Sequence, residues 1–272
     1  PFSELANSLL NGTFNGNVSD LKSEVGMYQL TEAPKQEAIF KKLVEMNSKL
    51  AKVTKKVKDK KGNEEEKEIY VFEGVKDITK RVTDRAKSFY DLAFKGNQIN
   101  QDSYQAAINE YKRLTGDTGH KIIDSVIRRY VDLDTGLIRD QVLAPGNEAT
   151  ATIEAKTLYE ALDKHINKLL HSFPEGTRFL SEIQGVNLPK NEAGTMDFLY
   201  ILPDSLGSKV GVLDWKFTDI NSDRYDDIPW YKIEAWNKQM EGYREMLRSY
   251  GIPDKQMDKT RMVPIISRYK YN

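Results

Sequence analysis

The chain reads as an α/β protein, a central mixed β-sheet flanked by α-helices and preceded by a helical N-terminal extension. Three observations predict this. Up to about residue 171 the apolar residues recur mainly at helical spacing. From 177 to 217 three apolar runs follow the two-residue period of strands, and an amphipathic stretch at 230–249 leads into a last strand-like run at 261–269. Helices, a run of strands, then helix and strand make the element order of helices packed on one sheet.

Residues 1–30 are rich in Asn, Gly and Ser with weak periodicity and read as a loose or docking segment. Thr31 to about Leu50 is helical, with Pro34 in the first turn and Ile39, Leu43, Met46 and Leu50 as an apolar stripe. VTKKVKDKKGNEEEKEIYVF, 53–72, reads as a hairpin about a Lys/Gly/Asn turn. Its Lys52–Lys61 run is either a phosphate contact or a solvated edge balanced by Glu64–Glu66. This divides the chain into an extension, 1–72, and a core, 73–272. Helices follow at 78–94 (Ile78, Val82, Phe89, Leu92), 102–114 (Tyr104, Ile108, Tyr111, Leu114), 117–131 (Ile123, Val126, Ile127, Tyr130) and 152–171 (Leu158, Leu162, Ile166, Leu169). TRFLSEIQGV (177–186), MDFLYIL (196–202) and KVGVLDWKF (209–217) are strands. The helix at 230–249 turns Ile233, Trp236, Met240, Tyr243 and Leu247 inward, and Gly251 and Pro253 stop it.

Composition excludes several classes. No apolar run approaches the ~18 residues of a membrane helix. Cysteine is absent, so disulfides, thiolate zinc sites and iron–sulfur clusters are ruled out. An intracellular, non-membrane setting is expected, with any metal held by oxygen ligands and the three histidines. The 41 basic and 41 acidic residues leave none of the basic excess of a non-specific DNA-binding protein, though a local basic groove is still compatible. Pro1 at the start, and an end inside the apolar run MVPIISRYKY, suggest a piece of a longer parent polypeptide.

The chemistry gathers on one predicted hairpin. MDFLYIL and KVGVLDWKF are joined by Pro203-Asp-Ser-Leu-Gly-Ser208, residues of an antiparallel turn. If those residues form the loop, Leu202 pairs with Lys209, and counting back along both strands sets Asp197 opposite Asp214. Facing residues put their Cβ atoms about 4.5–5.5 Å apart, where like charges repel. Alternation sends Asp214 and Lys216 to one face and Leu213, Trp215 and Phe217 to the other. Two carboxylates so placed cannot both ionise cheaply unless a cation neutralises them. Mg²⁺ or Mn²⁺ does so with hard oxygen ligands, and a lysine beside them can orient water or hold developing charge. The alternative is a surface ion pair between Asp214 and Lys216.

Further candidates lie elsewhere. His120 falls in the first turn of the helix predicted at 117–131, after the entry G-D-T-G, as a capping or packing residue or as a ligand. Glu182 interrupts a strand otherwise made of Phe179, Leu180, Ile183 and Val186, as a satisfied edge residue or a further ligand to metal or water. Gln239 and Tyr243, spaced i, i+4, share one helical face.

Taken in order, G-x-x-x-H, S-E, G-T-M-D, V-L-D-W-K and Q-x-x-x-Y resemble the RecB-like branch of the PD-(D/E)XK nucleases, a family that includes bacterial recombination nucleases, CRISPR-associated exonucleases and many phage nucleases. The resemblance covers roughly residues 70–269, beginning at YVFEGVKDITKRV, and implies a restriction-endonuclease-like core. It implies that Asp197, Asp214 and His120 bind Mg²⁺ or Mn²⁺, that Lys216 positions or activates water, and that Glu182 matches a recurring acidic position. Gln239 and Tyr243 would contact a DNA strand or brace the site. The implied activity is metal-dependent phosphodiester hydrolysis with DNA as partner, alongside replication or recombination proteins. An RNA- or junction-specific nuclease, or a non-catalytic binding member, are the alternatives. Met196 stands where the pattern has proline, Asp214 replaces the commoner Glu, and the four-Cys cluster of several members is missing, so features tied to that cluster do not carry over.

Overall fold

Ile39, Phe40, Leu43 and Met46 recur on one side of the segment Gln36–Ser48, and burying that side makes it the first helix, α1. The computed structural model describes residues 33–58, 62, 64–89, 103–146, 153–218 and 225–266, and contacts group the chain from Pro34 onward into one unit. That unit takes in the helix and hairpin that the sequence assigns to an extension.

β1 (Leu50–Lys58) and β2 (Glu64–Phe72) form the expected hairpin, with Lys52 opposite Tyr70 and Lys56 opposite Glu66. β3 (Lys76–Ile78) adds to β2, and β4 (Lys80–Arg81) joins the main sheet, followed by a 3₁₀ turn at Val82–Ala86. The helix predicted at 78–94 is thereby corrected at its start. Ile78 is strand, opposite Tyr70 and buried in a small core with Met46, Leu50 and Val186. Residues 90–94 lie outside the described ones.

α2 (Ser103–Tyr130) is one continuous helix where two, at 102–114 and 117–131, are predicted. The glycine before His120 does not end a helix. A Cβ at Gly119 would lie 2.1 Å from the Phe217 ring, so glycine there admits an aromatic side chain against the helix backbone. After a short hairpin of β5 (Val131–Asp132) and β6 (Leu137–Ile138), α3 (Ile153–Leu170) packs on α2.

β7 (Arg178–Asn187), β8 (Glu192–Ile201) and β9 (Val210–Thr218) then form an antiparallel meander. α4 (Trp230–Ser249) crosses over, and β10 (Met257–Ile266) returns parallel to β9. The product is an α/β fold around a mixed five-stranded sheet. On one face, Ile123, Val126 and Ile127 of α2 and Leu162 and Ile166 of α3 bury Phe179, Phe198 and Trp215. On the other, Phe40 and Leu43 of α1 with Met240 and Leu247 of α4 bury Leu199, Ile201 and Val212. Each large apolar side chain so buried stabilises the fold by roughly 1.5–3 kcal/mol. Among the described residues no helix is long and apolar enough to cross a membrane.

One charged network fixes α4. Gly242 lets the helix approach the 3₁₀ turn, since a Cβ there would meet Val82 Cγ1 at 2.8 Å. Arg85 then reaches two acids, donating to Glu192 at 2.7 and 2.6 Å as a two-pronged pair and also to Glu245. Lys190 Nζ adds a bond to Glu245 at 2.7 Å. The hydrogen bond from Arg85, opposed by burial and aided by Lys190, holds the Glu245 carboxyl at about 2. A depressed carboxyl contributes stability that is complete above its ordinary value of 4.5 and is lost as pH falls through about 2. We expect Glu245→Gln to lose about 1.5–3 kcal/mol at neutral pH, the range for hydrogen bonds to charged groups. Urea melts across that acid window should give the variant the shallower pH dependence; equal slopes would show that Glu245 carries no linked stability.

Candidate functional site

A β-strand has two edges, and one edge of β8 is only partly used. β7 pairs along the first, from Arg178–Ile201 to Asn187–Glu192. On the second, β9 takes Phe198–Ile201 and β4 takes Glu192 and Ala193. Between those partners, Gly194 to Asp197 pair with no strand among the described residues, and backbone groups released there need other partners. Side chains supply them. The Asp197 carboxylate accepts the Trp215 N–H at 2.8 Å, and the Tyr243 hydroxyl donates to the Thr195 carbonyl at 2.6 Å. The sheet forks at Asp197, and the candidate groups collect in the fork.

The hairpin register is the one its loop dictates: Ile201–Val210 to Phe198–Leu213, with the Leu202 N–H bonded to the Lys209 carbonyl. Asp197 and Asp214 come one step past the last paired residues. On β7 the pairing continues on both sides of Glu182 without a shift, which leaves Glu182 at the position facing Asp197. Its φ is +52°, a left-handed conformation that costs a non-glycine residue about 1–3 kcal/mol. Side-chain alternation slips at the same place. Leu180 and Ile183, like Leu199 and Met196, reach one core although three residues apart, where strict alternation would send them to opposite faces. Glu182, Asp197 and Asp214 thus stand in a row across three strands.

α2 brings His120 to that row. Its Nδ1 lies 3.5 Å from Asp197 Oδ2 and 3.9 Å from Glu182 Oε1. One ligand atom from each of His120, Glu182 and Asp197 lies within 4.8 Å of the other two, so these residues could hold a metal ion. Two carboxylates and an imidazole suit a divalent cation. Burial alone would lower the His120 pKa, but the Glu182 and Asp197 carboxylates outweigh it and raise it. Burial, and next the Asp214 charge, push the Asp197 carboxyl well above its usual range, against the pull of His120 and Lys216.

From the other layer, α4 braces Asp214 and Lys216. Lys216 Nζ forms an ion pair with Asp214 Oδ2 and donates to Gln239 Oε1 at 3.1 Å. Gln239 Nε2 lies 3.4 Å from Asp214 Oδ1 and 3.1 Å from the Tyr243 hydroxyl. Asp214 Oδ2 is fully buried, and the Lys216 ammonium is the cation set against it.

The sequence candidates therefore meet, with changes of place. His120 sits well inside α2 and not in a first turn, because α2 does not break. The structure groups Glu182, not Asp214, with His120 and Asp197 as neighbouring ligand atoms, since the left-handed turn at Glu182 brings it there while Asp214 is engaged by Lys216. Gln239 and Tyr243 are buried, and the hydrogen bonds they make are those of bracing residues. The sequence reading missed Thr195, whose carbonyl anchors Tyr243, and Tyr70, whose hydroxyl lies 2.9 Å from Thr195 Oγ1. It also missed the bond from Ser181 to Asp124 at 2.7 Å. The turn residues Leu188-Pro-Lys-Asn191 carried a usable signal: pairing Asn187 with Glu192 and counting back brings Glu182 opposite Asp197. A cavity of about 800 Å³ opens over the fork. No protein-family model, curated protein or solved structure matches the chain.

The raised Asp197 carboxyl means that at neutral pH the fold works against its charge. Asp197→Asn keeps an oxygen for the Trp215 N–H and removes that charge, so in EDTA it should melt at or above the wild-type temperature. Asp197→Ala strands the buried N–H and should be less stable by about 1–3 kcal/mol. Scanning fluorimetry decides it: an asparagine variant melting well below wild type would show that the carboxylates do not repel.

Proposed function

We propose that the chain is a divalent-metal-dependent nuclease of the PD-(D/E)XK superfamily, of the RecB-like branch, that hydrolyses phosphodiester bonds in DNA. The single observation that carries this reading is the row of Glu182, Asp197 and Asp214, met by His120 from one layer and by Lys216 with Gln239 from the other. These groups come from several separate elements, and a surface ion pair would need only two residues. The meander β7–β8–β9 with its parallel return through α4 and β10 also fits the restriction-endonuclease-like core that the resemblance implies.

His120, Glu182 and Asp197 would hold the ion, with Asp214 beside them, and we take it to be Mg²⁺ or Mn²⁺ because carboxylate oxygens dominate the set. Bound there, the cation would offset the carboxylate charges and supply Lewis acidity toward a phosphoryl oxygen. The protein's own groups do the positioning. An ammonium has three donors; Asp214 and Gln239 occupy two on Lys216, which leaves one for a non-bridging phosphate oxygen as negative charge grows on it. Gln239 is held in turn by Tyr243, and Tyr243 by the Thr195 carbonyl, two residues from Asp197. Lys216 is thus preorganised toward developing charge, which is where electrostatic catalysis gains most.

Labelled single-stranded DNA, duplex DNA, flaps and RNA, each incubated with Mg²⁺ or Mn²⁺, provide the test. DNA cleavage that EDTA abolishes is the expected result; undiminished activity in excess EDTA would remove the metal from the mechanism, and cleavage of RNA alone would replace the substrate. Lys216→Ala should lower turnover by about 10²–10³, the loss typical of one donor to developing charge, with DNA affinity nearly unchanged. Gln239→Ala should slow cleavage without weakening metal binding. Calorimetry separates these effects, and metal loss in the Gln239 variant would place that residue at the ion.

A further inference from the structure

The cavity over the fork has a third wall that the mechanism leaves unused. The β1–β2 hairpin lines it through Lys52, Glu68 and Tyr70, and α2 adds Lys121 next to His120. Burial sorts the charges by depth. Asp197 and Asp214 at the floor are 7% and 1% exposed, whereas the Lys52 side chain is 38% exposed and Lys121 is exposed. The mouth is mixed in charge, with Lys52 and Lys121 interleaved with Glu68, Asp117 and Asp124, and the two lysines stand above the acidic floor where the flanking phosphates of a polyanionic chain would meet them.

We propose that the hairpin belongs to the substrate site, and that Lys52 on β1 and Lys121 on α2 position the phosphates neighbouring the one that is cut. The proposal rests on the nuclease reading and extends it to residues outside the motif set. The hairpin is tied to the catalytic strand. Tyr70 is buried, and its hydroxyl meets Thr195 on β8, two residues from Asp197. Lys52 Nζ sits 5.5 Å from the centre of the Tyr70 ring, so the cation is carried on the same anchored side chain. Its other contact, Glu68 at 3.6 Å, is an exposed pair of the kind worth little, and a phosphate can displace it. Arg81 also lines the cavity, in an exposed pair with Asp84 at 3.3 Å within its own turn, and lacks the tie to the Tyr70 ring that Lys52 has.

Binding of a short fluorescein-labelled single-stranded oligonucleotide in EDTA, followed by anisotropy between about 50 and 200 mM salt, reads the contacts directly. Each phosphate contact contributes about 0.7 to the slope of log affinity against log salt for a single strand. Lys52→Ala and Lys121→Ala should each reduce the slope by about that amount, while melting temperatures stay at the wild-type value. Lys56→Ala, exposed on the same strand and facing Glu66, should leave the slope unchanged. Wild-type slopes in both cavity variants, or an equal drop in Lys56→Ala, would overturn the proposal and leave the nuclease reading standing. A wild-type protein that binds the strand but cleaves nothing with Mg²⁺ or Mn²⁺ would sink the nuclease reading, and the slopes would still decide the role of the hairpin. A wild-type protein that binds no oligonucleotide would end both.

Discussion

Neighbouring strands of a sheet can diverge only if the backbone groups they release find other partners. Where β8 and β9 diverge, the Asp197 carboxylate is such a partner. Its bond to the Trp215 N–H closes off the ladder, and the next residues of β8 meet side chains of other elements in place of a strand. The Tyr243 hydroxyl does the corresponding work on the Thr195 carbonyl. Without these two bonds the fork would expose unpaired backbone in a buried place, at a cost comparable to a lost hydrogen bond each. The candidate site exists because polar side chains have replaced a stretch of sheet.

The helix that braces the fork is itself braced. Gln239 and Tyr243 face the carboxylate row, while Gly242 and Glu245 of the same helix face the 3₁₀ turn and Arg85. Arg85 also grips Glu192 at the start of β8. Both ends of the open stretch of β8 are therefore referred to one helix, and the spacing between Asp214, Lys216 and the strand opposite is set by packing and not by the site groups alone. This matters because the site groups repel: three carboxylates in a row provide no cohesion of their own.

The hairpin was legible because its loop residues fix a register, and the register carries Asp197 and Asp214 to facing positions without any three-dimensional information. The facing of Leu213, Trp215 and Phe217 away from Asp214 followed from the two-residue period, and they do join the core under α2 and α3. What failed was local reading of residues whose reasons are tertiary. The strand read from the sequence begins at Met196, yet Glu192, Gly194 and Thr195 are already strand. Glu192 is buried because Arg85 meets it, and Gly194 is needed because a Cβ there would come within 3.0 Å of the Tyr243 ring. Gly119 looks like a helix stop for the same reason, its purpose being the Phe217 ring from β9. Neither contact leaves a trace in nearby sequence.

Glu182 bears a consequence for how this protein can change. Its left-handed backbone suits glycine or asparagine better than glutamate, so the position holds a residue that its own conformation disfavours. Replacement by glycine would relax the chain and remove a carboxylate from beside His120 in the same step. Selection for thermal robustness and selection for an intact anionic pocket would therefore pull this one position in opposite directions, and screens for hardier variants would tend to discard Glu182 early.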